Sequence, residues 1–408
     1  MKERNVRERI REGEAVMKRL ISALLLGAVA ALPAAVPAWA ADKVKVGFLS
    51  TLSGPGGALG VDMRDGFLLA VKLGGGKLGG LPAEVDVVDD QQKPDVARQA
   101  VERFTKRDHV DLITGMVFSN VLLPVMPAIL ESGTIYLSTN TGPEDYAGEK
   151  CNPNFFAVAW QNEDIPGAMG EVMNQRGLKN VYLIAPNYPG GRETLAGFKR
   201  FYKGKIADEV YVKLGQLDYA AEIANMRAAK PDAVFFFLPG GMGINFVKQY
   251  VAAGADKDAK LYTPGFSADE DTIKAVGEPM IGILNTSQWA ADLDNAANKK
   301  FVQEFQKEYG RMPTMYASQA YDVALLVDAA LKQIGGKVED KDALRKALSA
   351  AKFDATRGKF RFNKNNFPIQ DYYLREVYKD ANGRITNKTV GKVFSDFQDV
   401  HAAKCKMN

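Results

Sequence analysis

"VKVGFLSTLSGPGGALG", residues 44–60, decides the fold, because a predicted strand runs into a glycine-rich loop that leads to a helix. The apolar run 44–48 predicts the strand, and the one-sided apolar pattern of residues 61–73 predicts the helix. A loop in this position is typical of phosphate-binding sites, but such a loop also lines other clefts at the carboxyl end of a sheet.

The loop lacks the complete signature of a phosphate site. Gly54 and Gly56 have the spacing of a dinucleotide-binding fingerprint, but Leu59 replaces its last glycine. Asp89 and Asp90 lie close to the place of the ribose-binding acid, and no G-x-x-x-x-G-K-[ST] element occurs. The loop is therefore either a plain tight turn or a turn whose N–H groups face a ligand.

Strands and helices alternate in two similar series, which predicts an α/β protein with parallel sheets covered by helices. The first series has strands at 44–48, 84–88, 111–114 and 135–138 and helices at 61–73, 94–107 and 121–130. The second has strands at 181–185, 210–214, 233–238 and 261–263 and helices at 193–202, 220–229 and 245–253. Helices at 297–309, 318–331 and 342–350 and strands at 359–362, 372–378 and 389–394 follow.

The N-terminus has the pattern of a secretory signal peptide that ends at residue 40. A basic segment at 17–19 precedes an apolar run at 20–32, and Ala38-Trp39-Ala40 matches the A-x-A cleavage pattern. A membrane helix is disfavoured because the apolar run is too short to span a bilayer. Residues 1–16 do not fit a signal and are either an artefact of the gene boundary or a disordered extension. We expect a soluble protein in the periplasm.

The charge balance gives no sign of a nucleic-acid partner. The chain has a formal net charge of +4, of which the leader, with seven Lys/Arg and four Asp/Glu, supplies +3. Residues 41–408 are therefore close to +1, which argues against a steering field or a nucleic-acid surface.

Cys151 and Cys405 are the two cysteines of the chain, and both follow the leader. In an exported protein an even pair predicts one disulfide, here between the middle of the chain and its C-terminus. The mature length exceeds that of a usual single core and indicates two domains.

Residues suited to catalysis or metal binding are scarce. His109 and His401 are the only histidines, they lie far apart, and no G-x-S-x-G element is present. Two separate histidines and two cysteines give no metal-ligand spacing. The sequence therefore favours a binding protein over an enzyme and predicts neither a metal nor a cofactor.

Polar residues follow two strands of the first series. Phe118, Ser119 and Asn120 come after the strand at 111–114, and residues 138–141 (Ser-Thr-Asn-Thr) end the strand at 135–138. Each group is explained by ordinary helix capping. Because both lie at the same edge of one sheet, they also indicate a cleft that holds a small anion.

Eight segments follow one another along the mature chain. SGPGGALG (53–60), DDQQKPDVARQAVERF (89–104), ITGMVFSNVLLPVMPAILESG (113–133), YLSTNTGP (136–143) and NFFAVAWQNED (154–164) belong to the first half. VYLIAPNYPGGRETLAGF (181–198), DAVFFFLPGGMG (232–243) and GKFRFNKNN (358–366) belong to the second. This ordered set resembles the periplasmic solute-binding proteins of ABC importers, in the leucine/isoleucine/valine-binding (type I) branch.

The resemblance implies an α/β fold of two doubly wound, Rossmann-like lobes joined by three crossings, with candidate crossings at 157–161, 286–290 and 363–370. It places residues 41–160 and 289–368 in lobe 1 and residues 161–288 and 369–408 in lobe 2. Family members close on a ligand, and an ABC permease of the inner membrane recognises the closed form. We expect a monomer, and we expect the glycine-rich loop to be cleft wall.

The resemblance also implies a set of ligand contacts. Ser119 and residues 138–140 match positions that hold the ligand carboxylate, while Leu59, Tyr188 and Pro239 match wall positions that are often aromatic. The expected ligand-binding residues are Leu59, Phe118, Ser119, Asn120, Ser138, Thr139, Asn140, Tyr188, Pro239 and Phe266.

One departure from the family pattern bears on the ligand. Amino-acid binders place an acidic residue for the ligand ammonium where this chain has Phe266 and Ser267, and the nearest acids, Asp269 and Glu270, come later. Because an ammonium buried without a counter-charge is costly, we expect an aromatic carboxylate of the benzoate or hydroxycinnamate kind. A branched-chain or other amino acid is the alternative ligand. An exported enzyme or a sensor subunit remains an alternative function.

Overall fold

The computed structural model describes residues 42–407, so the predicted signal peptide lies outside the described residues. The strands of the described part form two separate sheets. Each helix within residues 42–407 is too short or too polar to cross a membrane.

The first sheet has the strand order β2-β3-β1-β4-β5-β6. All its neighbouring strands are parallel except β2, which forms an antiparallel hairpin with β3. The strands are β1 (Val44–Ser50), β2 (Lys77–Leu78), β3 (Leu81–Asp89), β4 (Leu112–Gly115), β5 (Ile135–Ser138) and β6 (Phe155–Ala157). The helices between them are α1 (Gly57–Leu73), α2 (Pro94–Glu102), α3 (Ser119–Leu122), α4 (Met126–Glu131) and α5 (Glu144–Ala147).

The second sheet has a parallel part with the strand order β8-β7-β9-β10-β11. In its antiparallel part, β13 pairs with β11, β12 and β14. The parallel strands are β7 (Asn180–Pro186), β8 (Lys205–Val212), β9 (Ala233–Phe236), β10 (Lys260–Pro264) and β11 (Leu284–Ser287). The antiparallel strands are β12 (Arg361–Phe362), β13 (Pro368–Lys379) and β14 (Ile385–Phe397). Its helices are α6 (Asp164–Gln175), α7 (Pro189–Phe201), α8 (Ala220–Ala229), α9 (Gly241–Ala252) and α10 (Glu270–Val276).

Three further helices, α11 (Ala296–Tyr309), α12 (Met315–Gln333) and α13 (Lys341–Ser349), return to the first sheet, where α12 packs along α1. The two helices approach closely at Gly66, where an added Cβ would lie 2.1 Å from the carbonyl oxygen of Ala317. We call the first sheet with α1–α5 and α11–α13 lobe 1, and the second sheet with α6–α10 lobe 2.

The chain passes between the lobes three times, and each candidate crossing overlaps one of these passages and extends into the neighbouring strand. Crossing 1 is residues 158–163 between β6 and α6, crossing 2 is residues 288–295 between β11 and α11, and crossing 3 is residues 350–367 between α13 and β13. The short strand β12 lies within crossing 3 and pairs with β13 at the edge of the second sheet, although the expected boundary of lobe 1 is residue 368.

The predicted alternation of strands and helices is present, but several predicted elements differ. The helix expected at 121–130 is divided into α3 and α4, because Pro124 in the break and Pro127 in the first turn of α4 have no N–H to donate to the preceding turn. The strand expected at 233–238 ends at Phe236, and the one expected at 210–214 begins at Lys205 and ends at Val212. The helix expected at 94–107 is an α-helix to Glu102 and then a wider π-helical turn.

The two cysteines form the predicted disulfide. Cys151 and Cys405 have Cα atoms 5.6 Å apart and are separated by 254 positions in the chain. Cys151 lies between α5 and β6 of lobe 1, whereas Cys405 follows β14, the last strand of the second sheet. The bridge therefore returns the C-terminal tail to lobe 1.

We expect the double substitution Cys151→Ser/Cys405→Ser to lower the free energy of unfolding by about 2–5 kcal/mol, because the bridge restricts a long loop of the unfolded chain. Urea unfolding followed by circular dichroism measures this difference. A reducing agent should lower the midpoint of the oxidised wild type and leave that of the double variant unchanged. Equal midpoints for the two proteins without reductant would contradict the prediction.

Candidate functional site

A cavity lies between the two lobes, at the carboxyl ends of parallel strands from both sheets. About 390 Å³ of space among its lining residues is free of protein atoms, and this space includes solvent at its opening. The segments that follow β1, β4 and β5, including the first turns of α1 and α3, contribute to its wall on lobe 1. The segments that follow β7, β9 and β10 contribute to its wall on lobe 2. The lining residues are Leu59, Val117, Phe118, Ser119, Asn140, Thr141, Trp160, Asn162, Tyr188, Gly190, Thr194, Phe237, Pro239, Phe266 and Tyr316.

Most of the residues expected at the ligand line this cavity, and three do not. Ser138 and Thr139 use their hydroxyl groups inside the protein, where they donate to the carbonyl oxygens of Thr141 (2.6 Å) and Gly115 (3.1 Å). Asn120 is on α3 but is not part of the cavity wall. The expected residues that line the cavity are Leu59, Phe118, Ser119, Asn140, Tyr188, Pro239 and Phe266.

Aromatic rings from both lobes form a continuous wall. Phe118 of lobe 1 lies 6.1 Å from Tyr188 of lobe 2, measured between ring centroids, and Tyr188 lies 6.3 Å from Phe237. Phe266 lies 5.4 Å from Phe237 and 4.9 Å from Trp160, which belongs to crossing 1. The ring separations, and the edge-on, stacked and tilted arrangements of these pairs, are those that aromatic pairs prefer. The wall therefore suits a flat apolar group.

Two hydrogen bonds join the lobes, and one of them connects residues that line the cavity. The backbone N–H of Gly190, in the first turn of α7, donates to Ser119 Oγ at 2.7 Å. The N–H of Gly241, at the start of α9, donates to the carbonyl oxygen of Pro55 at 3.1 Å. Gly240 has a φ of +62°, and an added Cβ would lie 2.8 Å from the same oxygen. The glycine-rich loop thus supplies an acceptor to the opposite lobe.

Neutral hydrogen-bond donors remain free in the cavity wall. The hydroxyl hydrogen of Ser119 has no acceptor among residues 42–407, and neither do the backbone N–H groups of Asn140 and Thr141. The Asn140 side chain is held in place, since its Nδ2 donates to the carbonyl of Val117 and its Oδ1 accepts from Gln319 at 3.4 Å. Uncharged donors of this kind hold a carboxylate through charge-assisted hydrogen bonds.

No charged side chain of the described residues lines the cavity. Asp269 caps α10, where its carboxylate accepts from the N–H and the hydroxyl of Thr272 at 2.8 and 3.1 Å, and burial raises its pKa to about 7. Glu270 accepts hydrogen bonds from Thr386 and Asn387 of β14. The two acids nearest to Phe266 in the sequence are therefore engaged on lobe 2.

Several lining residues were not expected from the sequence. Trp160 and Phe237 lie in two of the segments that carry the resemblance, and Phe237 directly follows the end of β9. Tyr316 comes from the first turn of α12, and its hydroxyl donates to the carbonyl of Phe266 at 3.4 Å. The sequence could have identified Phe237, because it is an aromatic residue at the end of a strand. It gives no such indication for Tyr316, which lies at the start of a helix far along the chain.

Known proteins of one family match this chain. The family profile described as periplasmic binding protein matches residues 43–383. Among curated proteins, the Leu/Ile/Val-binding protein homolog 6 of Brucella melitensis is 26% identical over 376 residues, which cover 90% of this chain and 96% of the relative.

Solved structures of the same kind share the fold. A solute-binding protein of an ABC transporter from R. palustris, in complex with benzoate, is 31% identical, with a TM-score of 0.84. That match covers 89% of this chain and 99% of the other. A second, from Rhodopseudomonas palustris BisB5 in complex with 3,4-dihydroxy benzoic acid, is 28% identical, with a TM-score of 0.83, and covers 88% of this chain and 99% of the other. The chain therefore belongs to the periplasmic binding protein family, as a type I solute-binding protein of the kind that serves ABC importers.

Proposed function

We propose that this protein is the periplasmic substrate-binding component of an ABC importer and that its ligand is a small aromatic carboxylate of the benzoate or hydroxycinnamate kind. One observation carries the proposal: the cavity has aromatic walls from both lobes and contains no charged side chain. Such a site favours a flat apolar body with one polar end.

The two kinds of wall have separate roles in this proposal. The aromatic ring of the ligand packs against Phe118, Tyr188 and Phe266, where removal of its surface from water supplies most of the affinity. The carboxylate accepts hydrogen bonds from the Ser119 hydroxyl and from the free N–H groups of Asn140 and Thr141. Because contacts to both lobes are made at once, the ligand favours the closed arrangement, which delivers it to the permease.

An amino acid is the second candidate, and the names of the curated relatives favour it. The ammonium of an amino acid needs a counter-charge in a buried site. Asp269 is engaged in its helix cap, and Glu193, which binds the cavity residue Asn162, has a pKa raised by burial to about 8. A largely protonated Glu193 supplies little negative charge, so we favour the aromatic acid. The complexes of the two palustris proteins support the same choice.

A ligand screen tests the proposed function directly. Residues 41–408 are expressed, and thermal unfolding is followed with benzoate, hydroxybenzoates, hydroxycinnamates, leucine and valine, because a ligand that binds the native state raises the melting temperature. We expect a rise with one or more aromatic acids and none with leucine or valine. A rise with amino acids alone would overturn the proposed ligand class, and turnover of any compound would favour an enzyme.

Ser119→Ala should weaken binding of an aromatic acid by about 10- to 100-fold, because the ligand loses a donor and the Gly190 N–H loses its acceptor across the cleft. Isothermal titration calorimetry measures the change. Ser132→Ala is the matched control, since the Ser132 hydroxyl donates to Ile129 away from the cavity. Equal weakening by both substitutions would argue against a direct role of Ser119.

The raised pKa of Glu193 predicts that the stability of the protein depends on pH. Its Oε2 accepts from Asn162 Nδ2 at 2.6 Å, and burial is the main cause that raises its pKa from 4.5 to about 8. Between these values the folded protein retains a proton that the unfolded chain loses, so this contribution to the free energy of unfolding falls as pH rises.

We therefore expect Glu193→Gln to be more stable than the wild type at pH 8.5, by about 1–2 kcal/mol, with a difference that shrinks toward pH 5. Urea unfolding at both pH values measures this difference. Glu131→Gln, an exposed change on α4, serves as the control and should show no such trend. A Glu193→Gln variant that is less stable at pH 8.5 than the wild type would contradict the prediction.

A further inference from the structure

Arg357 is a buried arginine of crossing 3 whose side chain reaches crossing 1. Its Nη1 donates to the carbonyl oxygens of Val158 (2.7 Å) and Ala159 (2.9 Å), both in crossing 1. The same nitrogen donates to Gln370 Oε1, at the start of β13, at 2.9 Å. The guanidinium group thus links crossing 3, to which Arg357 belongs, to crossing 1 and to the start of β13.

The charge of Arg357 is balanced on lobe 1. Its Nε donates to Asp322 Oδ2 at 3.0 Å, and both side chains are almost completely buried. Asp322, on α12, also accepts from the N–H and the hydroxyl of Thr356 at 2.8 and 3.1 Å. Removing one partner of such a pair would leave an uncompensated buried charge. The pair therefore anchors the guanidinium to α12.

The crossing that Arg357 holds carries part of the cavity wall. Trp160, which packs against Phe266, directly follows Ala159. The Ala159 carbonyl accepts a second hydrogen bond from Gln370 Nε2 at 2.9 Å, so this oxygen is held from two sides. Asn162, two residues after Trp160, also lines the cavity.

We propose that Arg357 is a positioning residue for ligand binding, which fixes crossing 1 against crossing 3 and so places the Trp160 ring in the cavity wall. The expected effect on ligand affinity rests on the proposed function. The expected effect on the position of the Trp160 ring does not. The planar fork of arginine reaches several acceptors from one fixed plane, whereas a lysine ammonium is a single point charge on a flexible stem.

The test uses Arg357→Lys, which retains the charge opposite Asp322, and Gln370→Met, which leaves the Arg357–Asp322 pair intact. The second variant keeps the proposal testable if Arg357→Lys does not fold. Arg361→Lys is the matched control, because Arg361 is exposed on β12 and its nearest acid is Asp396 at 3.5 Å.

The ring position is measured without ligand. Trp160 and Trp289 are the only tryptophans of residues 41–408, so protein labelled with 5-fluorotryptophan gives two fluorine resonances, which Trp289→Phe assigns. We expect the Trp160 resonance to move or broaden in Arg357→Lys, and less so in Gln370→Met, while the Trp289 resonance and the Arg361→Lys spectrum stay unchanged. We also expect faster hydrogen exchange at the amides of Val158 and Asn162.

Ligand affinity is the second readout. For the aromatic acid found in the screen, we expect Arg357→Lys to weaken binding about tenfold and Arg361→Lys to leave it unchanged. Folded Arg357→Lys and Gln370→Met variants with wild-type Trp160 resonances and affinity would overturn the proposal, even if their melting temperatures fall. If no aromatic acid binds the wild type, the proposed function fails while the fluorine spectra still decide the role of Arg357.

Discussion

The closed cleft depends on backbone N–H groups of lobe 2 that find their acceptors on lobe 1. The first turn of any helix leaves N–H groups without partners inside the helix. In α7 the N–H of Gly190 donates to Ser119 Oγ. In α9 the N–H of Gly241 donates to the carbonyl oxygen of Pro55. Each lobe therefore supplies hydrogen-bond partners to the other, and separation of the lobes would expose these groups to water.

This constraint explains the glycine-rich loop that follows β1. A phosphate cradle would use the N–H groups of the loop, but here the Pro55 carbonyl accepts from α9. The close contact requires a glycine on the other side, because any side chain at Gly240 would meet the Pro55 oxygen. The same contacts between the lobes border a small cavity whose wall contains aromatic rings from both lobes and no charged side chain of the described residues.

The sequence predicted the parts of the fold that depend on local pattern. Strands such as β1 and β5 are short apolar runs bounded by turn residues, and the disulfide had a single possible pairing. Helix α6 was missed, since its sequence contains Pro166, Gly167 and Gly170, which are poor helix formers.

The cavity was only partly predictable for a related reason. The sequence pattern correctly places Ser138 and Asn140 at the edge of the sheet that borders the cavity, but it does not indicate which of the two side chains faces the cavity. Ser138 holds the loop through Thr141, whereas Asn140 lines the cavity. Tyr316 reaches the site through the packing of α12 on α1, which is a tertiary contact with no local signature.

The bridge between Cys151 and Cys405 has a further consequence for how copies of this chain interact. A chain whose two lobes are joined by connecting segments can exchange one lobe with a second copy and form a domain-swapped dimer. Here the tail after β14 is fastened to lobe 1, so a fourth short tether joins the lobes beside the three crossings. A swapped pair would have to extend all four tethers at once, and the disulfide therefore opposes the exchange.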